Sequence, residues 1–269
     1  MADELHNQKP VGTREWYDFV GIMADGLPYM HTGGKEATDQ LIQKCGIKEG
    51  THVLDVGCGG GNTACRIARE FGSRVMGIDI SEVMVEQARV RAEKEGVADL
   101  VEFRVADVYD LPFDGASFDV VLIESVLTPL SGTKVDALKE MHRVLKPGGV
   151  MGVNETIFLE KTPADIMAVV NTHPAIYEPF TEKTLRATLE KAGFKIQEWK
   201  ISEETEVPNA MKQMGCGGLI AFFVKSYPRI LWKTLTDKRI REAGKIDDQV
   251  TKVNKQYVRY ALVIASKGR

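Results

Sequence analysis

The sequence has few of the features that mark a membrane-spanning, disulfide-rich or nucleic-acid-binding protein. Its 269 residues contain four cysteines (Cys45, Cys58, Cys65 and Cys216) with no Cys-x-x-Cys pair and no zinc spacing, so we expect free thiols and no metal site. No apolar run approaches the roughly 20 residues that span a bilayer. The 35 Lys and Arg against 38 Asp and Glu leave a net charge of −3, which argues against a nucleic-acid partner.

The start of the chain also lacks the marks of a targeting signal. The first ten residues contain neither a basic cluster nor an apolar core, so we expect no signal peptide. Together with free thiols, this predicts a cytoplasmic location. The length allows either one large α/β domain or a core domain with a cap.

What is present is an alternation of short apolar runs with helical patterns, from about residue 33 to 160. The pattern predicts an α/β fold built on a doubly wound, seven-stranded, mostly parallel, Rossmann-like sheet. We expect Pro147-Gly148-Gly149 to separate a helix from the fifth strand, which would start at Val150. The predicted strands are 52–56, 74–80, 100–105, 118–123, 150–154, 194–201 and 257–266, and the predicted helices are 35–45, 62–71, 82–94, 135–145 and 181–192.

Two segments fall outside this alternation. We predict a lid segment over residues 1–32, a cofactor-binding domain over 33–203 and 256–269, and an inserted helical cap over 204–255, because a loop that long without structure is unusual. The stretch 217–233 of the cap mixes apolar and basic residues. It can pack on the sheet domain, line an apolar substrate channel or contact a membrane surface. The sequence also leaves a homodimer open.

The strongest local signal is the glycine-rich turn in VLDVGCGGG. A buried strand ends at Val56, and Gly57, Gly59 and Gly61 belong to the turn that precedes a helix. Glycines let a ligand approach the backbone, and the helix N-terminus favours a polar or anionic ligand end. A dinucleotide fingerprint would place glycine where Asn62 stands, and no P-loop Gly-Lys-Ser/Thr follows. The turn therefore departs from the dinucleotide fingerprint at one position, and a P-loop is excluded.

Aspartates at successive strand ends support a site at this turn. Asp79 ends the second predicted strand, and Asp107 follows the third. Because ligands of such sheets lie outside the carboxyl ends of the strands, Asp55, Asp79 and Asp107 are expected to converge there. An aspartate at the tip of the neighbouring strand can accept hydrogen bonds from a ribose diol.

Several linked motifs carry a family resemblance over residues 35–160. They are VLDVGCGGG, GIDIS, RVADVYDLPF, FDVVLIESVL and LKEMHRVLKPGG. With them the chain resembles the class I S-adenosylmethionine-dependent methyltransferases, and within these it is most similar to the small-molecule and quinone-biosynthesis type. The resemblance implies S-adenosyl-L-methionine as cofactor and S-adenosyl-L-homocysteine as product.

The resemblance also implies a role for each matching position. Asp55 and the turn would hold the methionine end of the cofactor, Asp79 the ribose, and Asp107 the adenine amine, while Glu124 would lie at the junction of cofactor and substrate. The full set of implied cofactor-binding residues is Asp55, Gly57, Gly59, Gly61, Asp79, Ile80 beside adenine, Asp107, Val108 and Glu124.

In methyl transfer the cofactor supplies the reactive methyl group, and the main task of the protein is to align the acceptor with it. A general base is needed only where the acceptor carries a proton of high pKa. His31, in the loop that opens a helix near the expected ligand side, is the predicted catalytic residue together with Tyr29. Both belong to the lid segment, which would also supply an aromatic wall.

The sequence thus predicts an enzyme that moves the methyl group of S-adenosylmethionine by in-line transfer to a small apolar or amphipathic metabolite. Two alternatives stay open at this point. One is a methyltransferase acting on RNA or protein, which the charge and the segment Glu124-Ser125-Val126-Leu127 disfavour. The other is a module that binds the cofactor without methyl transfer.

Overall fold

One seven-stranded sheet lies at the centre of the described part of the chain. The computed structural model describes residues 11–24, 29–202, 224 and 226–268. The spatial order of the strands is β3-β2-β1-β4-β5-β7-β6. The pairs of β7 are antiparallel and all other pairs are parallel, which confirms the predicted doubly wound sheet. The strands are β1 (His52–Val56), β2 (Arg74–Asp79), β3 (Val101–Val105), β4 (Phe118–Glu124), β5 (Leu145–Phe158), β6 (Lys195–Ile201) and β7 (Val258–Ser266).

Helices cover both faces of this sheet. Those within the described ranges are α1 (Thr13–Ala24), α2 (Gly34–Lys44), α3 (Asn62–Phe71), α4 (Glu82–Glu95), α5 (Lys134–Val144), α6 (Ala164–Asn171), α7 (Glu182–Lys191), α8 (Tyr227–Thr236) and α9 (Lys238–Tyr257). Apolar side chains of α2, α3 and α4 pack on one face, and those of α5 and α7 pack on the other. The central strands are therefore apolar on both sides, as parallel strands require. In these ranges no helix combines the length and apolar character needed to cross a membrane.

The helix ends follow local sequence signals. The Ser81 side chain accepts a hydrogen bond from the backbone N–H of Met84 at the start of α4. Gly96 ends the same helix in the left-handed region at φ 69°, where glycine has no steric penalty. The predicted cap and terminator of this helix are confirmed, and α3 has the predicted bounds.

Strand β5 begins five residues earlier than predicted. It starts at Leu145, directly after α5, and includes the Pro-Gly-Gly segment that we expected to precede the strand. Its pairing with β4 shifts between Leu145 and Val150, so the intervening residues form an irregularity within the strand. Proline has no N–H for the ladder, and Gly148 adopts a φ of 76°. Such residues are tolerated in a strand at a bulge.

The N-terminal segment and the late insertion contact each other. Trp16 and Phe19 of α1 form a buried apolar cluster with Ile240 and Ala243 of α9. The described part of the insertion is helical, as predicted. Positions 204–223 and 225 of the predicted cap lie outside the described residues.

Candidate active site

The carboxyl ends of β1, β2 and β4 border a cavity of about 340 Å³. Asp55 lies in β1, Asp79 ends β2 and Glu124 ends β4. Because β2, β1 and β4 are neighbours in the sheet, the three carboxylates line one cavity. Other lining residues come from α1, the segment before α2, the glycine turn and the loop after β4, and they include Tyr17, Tyr29, Met30, His31, Gly57, Gly59, Gly60, Asn62, Ser125, Val126, Pro129 and Leu130.

The glycine turn exposes its backbone to this cavity. Gly57 has a φ of 71°, and a Cβ there would lie 2.6 Å from Val126 Cγ2. Gly59 has a φ of 52°, and a Cβ there would meet no described atom within 4 Å. Gly61 is not among the described residues that line the cavity, and a Cβ there would lie 2.8 Å from Ala88 Cβ. Gly57 and Gly59 thus shape the cavity, while Gly61 permits the close packing of α4.

Asp55 is a buried carboxyl group with an unused oxygen. The residue is 3% exposed, and its Oδ2 atom has no hydrogen-bond partner among the described residues. Burial raises the pKa of Asp55 to about 8, and the neighbouring carboxylates of Glu124 and Asp79 raise this pKa as well. A cation in the cavity would favour the ionised form. This position therefore suits a positively charged ligand.

Asp79 is oriented by the backbone. Its Oδ2 accepts the N–H of Gly59 at 3.0 Å, and its Oδ1 accepts the N–H of Ser81 at 2.9 Å. Burial raises the pKa of Asp79, and these hydrogen bonds act in the opposite direction. Each oxygen can still accept a further hydrogen bond, as the two hydroxyls of a ribose require.

The side of the cavity next to β2 and β3 is mainly apolar. Ile80 is 42% exposed and Val108 is 7% exposed, and both line the cavity. Asp107 also lines it, and its Oδ1 accepts the N–H of Tyr109 at 3.0 Å. The structure therefore brings together the three residues that the resemblance assigns to adenine, with apolar surface and one carboxylate.

Glu124 is held by two threonine hydroxyls and faces His31. Its Oε2 accepts a hydrogen bond from Thr38 Oγ1 at 2.8 Å and lies 3.3 Å from His31 Nε2. Its Oε1 accepts a hydrogen bond from Thr63 Oγ1 at 3.0 Å. The Glu124 side chain is 7% exposed. Thr38 and Thr63 were not predicted, because a threonine within a helix carries no sequence signal for a partner in a distant strand.

His31 has partners for every protonation state of its ring. Beside Nδ1 lie a donor, Asn154 Nδ2 at 3.0 Å, and an acceptor, Thr32 O at 3.2 Å. A ring protonated on Nε2 alone accepts from Asn154 and donates toward Glu124. A ring protonated on Nδ1 donates to Thr32 O, and its Nε2 lone pair lies 3.2 Å from the Thr38 hydroxyl. The imidazolium form donates on both sides, and the Glu124 carboxylate stabilises its charge.

Tyrosines complete the wall around His31. The Tyr29 ring contacts the His31 ring edge-on, with centroids 5.7 Å apart. The Tyr29 hydroxyl accepts a hydrogen bond from Arg66 at 3.2 Å. Tyr17 of α1 also lines the cavity, and burial raises the pKa of its hydroxyl above the ordinary value. The two predicted catalytic residues therefore lie side by side at the cavity.

A buried glutamate outside the cavity fixes the loop after β4. Glu155 is 0% exposed and accepts hydrogen bonds from Leu127 N at 2.8 Å, Thr128 Oγ1 at 2.7 Å and Thr156 N at 3.1 Å. Burial raises its pKa. Sequence reasoning missed Glu155 and Asn154, although two adjacent polar residues within an otherwise apolar strand are a usable signal.

The polar groups of the cavity fit S-adenosylmethionine. Asp55 Oδ2, Asn62 Nδ2 and Ser125 Oγ are buried and have no hydrogen-bond partner among the described residues. They offer an acceptor for an ammonium group and donors for a carboxylate, which together form the methionine end of this cofactor. The carboxylates of Asp79 and Glu124, together with that of Asp55 once it is ionised, also favour the sulfonium cation. They would repel the pyrophosphate of a dinucleotide.

Comparisons with known proteins agree with this site. Residues 47–204 match a family model described as a methyltransferase domain. The chain is 35% identical over 184 residues to methyltransferase GfsG of Streptomyces halstedii, covering 64% of this chain and 63% of that protein. It is 30% identical over 229 residues to erythromycin 3''-O-methyltransferase of Saccharopolyspora erythraea, covering 84% and 69%. The chain thus spans about two thirds of these curated relatives.

A solved structure shows the same fold. Phosphoethanolamine N-methyltransferase 2 of Haemonchus contortus, in complex with S-adenosyl-L-methionine, superposes with a TM-score of 0.68 at 20% identity, covering 96% of this chain and 60% of that one. Fold and site define an α/β methyltransferase. The chain belongs to the methyltransferase-domain family and is a class I S-adenosylmethionine-dependent enzyme, which confirms the resemblance drawn from its motifs.

Proposed function

We propose that this methyltransferase modifies a hydroxyl group of a small apolar or amphipathic molecule. The observation that carries the proposal is the His31–Glu124 pair at the cavity, 3.3 Å apart. The bound cofactor supplies an electrophilic methyl group on its sulfonium. A hydroxyl acceptor loses a proton of high pKa during the transfer, so a base beside it accelerates the reaction.

The residues around the His31 ring assist this proton transfer in different ways. His31 takes the proton on Nε2 when Nδ1–H donates to Thr32 O. The resulting imidazolium is then stabilised by Glu124. Asn154 Nδ2 donates to Thr32 O at 2.8 Å and keeps this carbonyl beside the ring. Tyr29, edge-on to His31, forms the wall against which the acceptor packs.

Two observations support a small apolar acceptor with a hydroxyl group. Tyr17, Val126, Pro129 and Leu130 line the cavity, so its acceptor side combines aromatic and aliphatic surface. The relative named for 3''-O-methylation of erythromycin supports both a small molecule and an oxygen acceptor.

We also propose the domain organisation given by the sequence, with residues 1–32 and 204–255 covering the sheet domain of 33–203 and 256–269. Its support is that residues 17, 29 and 31 of the first segment line the cavity and that α1 packs on α9. A cytoplasmic location is supported by the free, buried thiols of Cys45, Cys58 and Cys65. The homodimer and the absence of a nucleic-acid partner stay predictions.

Formation of S-adenosylhomocysteine tests the proposed function. The enzyme is incubated with S-adenosylmethionine and with the apolar or polar fraction of a metabolite extract. We expect turnover with the apolar fraction and little with the polar one. Calorimetric binding of the cofactor without turnover in any fraction would instead support a module that binds the cofactor and transfers nothing.

A further inference from the structure

The helix α8 presents an apolar stripe to the outside of the cap. Five of the ten large hydrophobic side chains exposed in the described residues fall within the twelve positions from 224 to 235. They recur at the three- and four-residue spacing of one helix face. Their exposures are 69% for Val224, 47% for Tyr227, 45% for Leu231, 64% for Trp232 and 65% for Leu235.

The opposite face of this helix holds it against the cap. Ile230 packs against the apolar cluster that contains Trp16, Phe19 and Ile240, and Ser226 is buried. Because these contacts orient α8, the stripe faces away from the described part of the protein. Helix α8 also contacts α1, and α1 supplies Tyr17 to the cavity. The exposed stripe therefore lies on the cover of the active site.

The surroundings of the stripe are strongly basic. Residues 227–245 contain six Lys or Arg and two Asp or Glu, a net charge of +4 in a chain with a net charge of −3. Arg229 is exposed within α8. Arg241 donates to Thr234 O and Leu235 O at 3.1 and 3.2 Å, which places its charge at the end of the stripe. Apolar residues with tryptophan, flanked by cations, are typical of helices that lie in the interface of a membrane.

We propose that this face of the cap binds the surface of an anionic lipid bilayer. Trp232, Leu231 and Leu235 insert at the level of the headgroups, and the cations pair with lipid phosphates. A symmetric contact with a second copy would bring two copies of this basic segment together, which is unfavourable. The proposal is independent of the acceptor, although it would place the cover of the cavity beside a reservoir of apolar molecules.

Vesicle binding by the full chain tests this surface. We expect sedimentation with vesicles of phosphatidylcholine and phosphatidylglycerol, weak sedimentation with phosphatidylcholine alone, and loss of binding at high salt. The fluorescence of Trp232 should shift to the blue on binding. The variant Leu231→Ser/Trp232→Ser should bind the anionic vesicles at least about tenfold more weakly. These side chains are exposed, so its circular dichroism spectrum should match that of the wild type.

The matched control is Val90→Ser on α4. Val90 is 59% exposed and lies outside the stripe, so this variant should bind vesicles as the wild type does. Equal loss in both variants, or equal binding to the two vesicle types, would overturn the proposal. A wild-type dimer in sedimentation velocity that Leu231→Ser/Trp232→Ser converts to a monomer would also overturn it, in favour of a second copy.

Discussion

His31 Nε2 lies 3.3 Å from Glu124 Oε2, and the sheet explains how residues so distant in sequence meet. Glu124 at the end of β4 is paired in register with Asn154 of β5. The Asn154 amide contacts His31 Nδ1 at 3.0 Å, so one side chain of the neighbouring strand orients the ring toward the carboxylate. The pair therefore depends on the parallel β4–β5 register as much as on the loop that carries His31.

Replacing His31 tests its role as base. We expect His31→Ala to lower kcat by about 100-fold or more, because no general base is then present to accept the proton of the acceptor hydroxyl. The affinity for the cofactor, measured by calorimetry, should change little. The control is His142→Ala, since His142 packs edge-on against Phe194 away from the cavity. A kcat unchanged in His31→Ala would contradict the proposed base.

Asp55 predicts a dependence of cofactor binding on pH. Its pKa in the free protein is about 8, so the group is mostly protonated at neutral pH. A bound cation favours the ionised form, and binding should then release up to one proton. The affinity should rise with pH up to about 8 and level off above it. Calorimetry in buffers of different ionisation enthalpy measures the protons released.

Two variants separate Asp55 from other titrating groups. Asp55→Asn should weaken cofactor binding and abolish the proton release, whereas the exposed Asp99→Asn should change neither. The free energy of unfolding of the cofactor-free protein gives a second measure. It should fall as the pH rises, whereas the affinity for the cofactor should increase. Because burial raises this pKa, the free protein should lose stability between about pH 4 and pH 8, by at most about 1.4 kcal/mol per pH unit. Proton release that persists in Asp55→Asn would exclude Asp55 as its source.

Gly59 of the turn and Gly46 after α2 allow a comparison of two glycines with similar backbone conformations. Gly59 and Gly46 both have positive φ, 52° and 68°, and a Cβ at either would meet no described atom within 4 Å. Alanine at each should cost about 1 kcal/mol of stability. Only Gly59→Ala should also weaken cofactor binding, by about tenfold, because only Gly59 borders the cavity. Equal affinities in the two variants would show that the cofactor does not approach Gly59.

Glu155 is expected to contribute mainly to the stability of the fold and not directly to methyl transfer. Glu155→Ala leaves the N–H of Leu127 and the hydroxyl of Thr128 without their buried acceptor. We expect a loss of about 3 kcal/mol in the free energy of unfolding, measured with urea. The exposed Glu49→Ala should lose less than about 0.5 kcal/mol. A small loss in Glu155→Ala would mean that water replaces the carboxylate.

The sequence predicts the local parts of this molecule well. The strand, glycine turn and helix from His52 to Phe71 follow from an apolar run, backbone freedom and a helix pattern, all within twenty residues. Asp79 could be placed because the end of a parallel strand is set by the same short-range signals. The role of Gly61 could not be predicted in this way, because its packing against Ala88 depends on another helix.

Contacts between distant segments could not be predicted. Nothing near Thr38 or Thr63 indicates that both hydroxyls reach Glu124, because this depends on how α2 and α3 pack on β4. The early start of β5 was missed because proline and glycine usually end an element, whereas here β4 accommodates them through a shift in register. The outward stripe of α8 has the same pattern as a buried helix face, and only the packing of Ile230 separates the two.

The location of the transferred methyl group distinguishes a small apolar acceptor from a macromolecule or an amine. The enzyme is incubated with S-adenosylmethionine labelled in its methyl group and with a cell extract, and the products are separated by size and then between water and an organic solvent. We predict that the label enters small molecules in the organic phase and that His31→Ala removes most of it. Label in protein or RNA, or in water-soluble amines, would contradict the assignment of a small apolar acceptor.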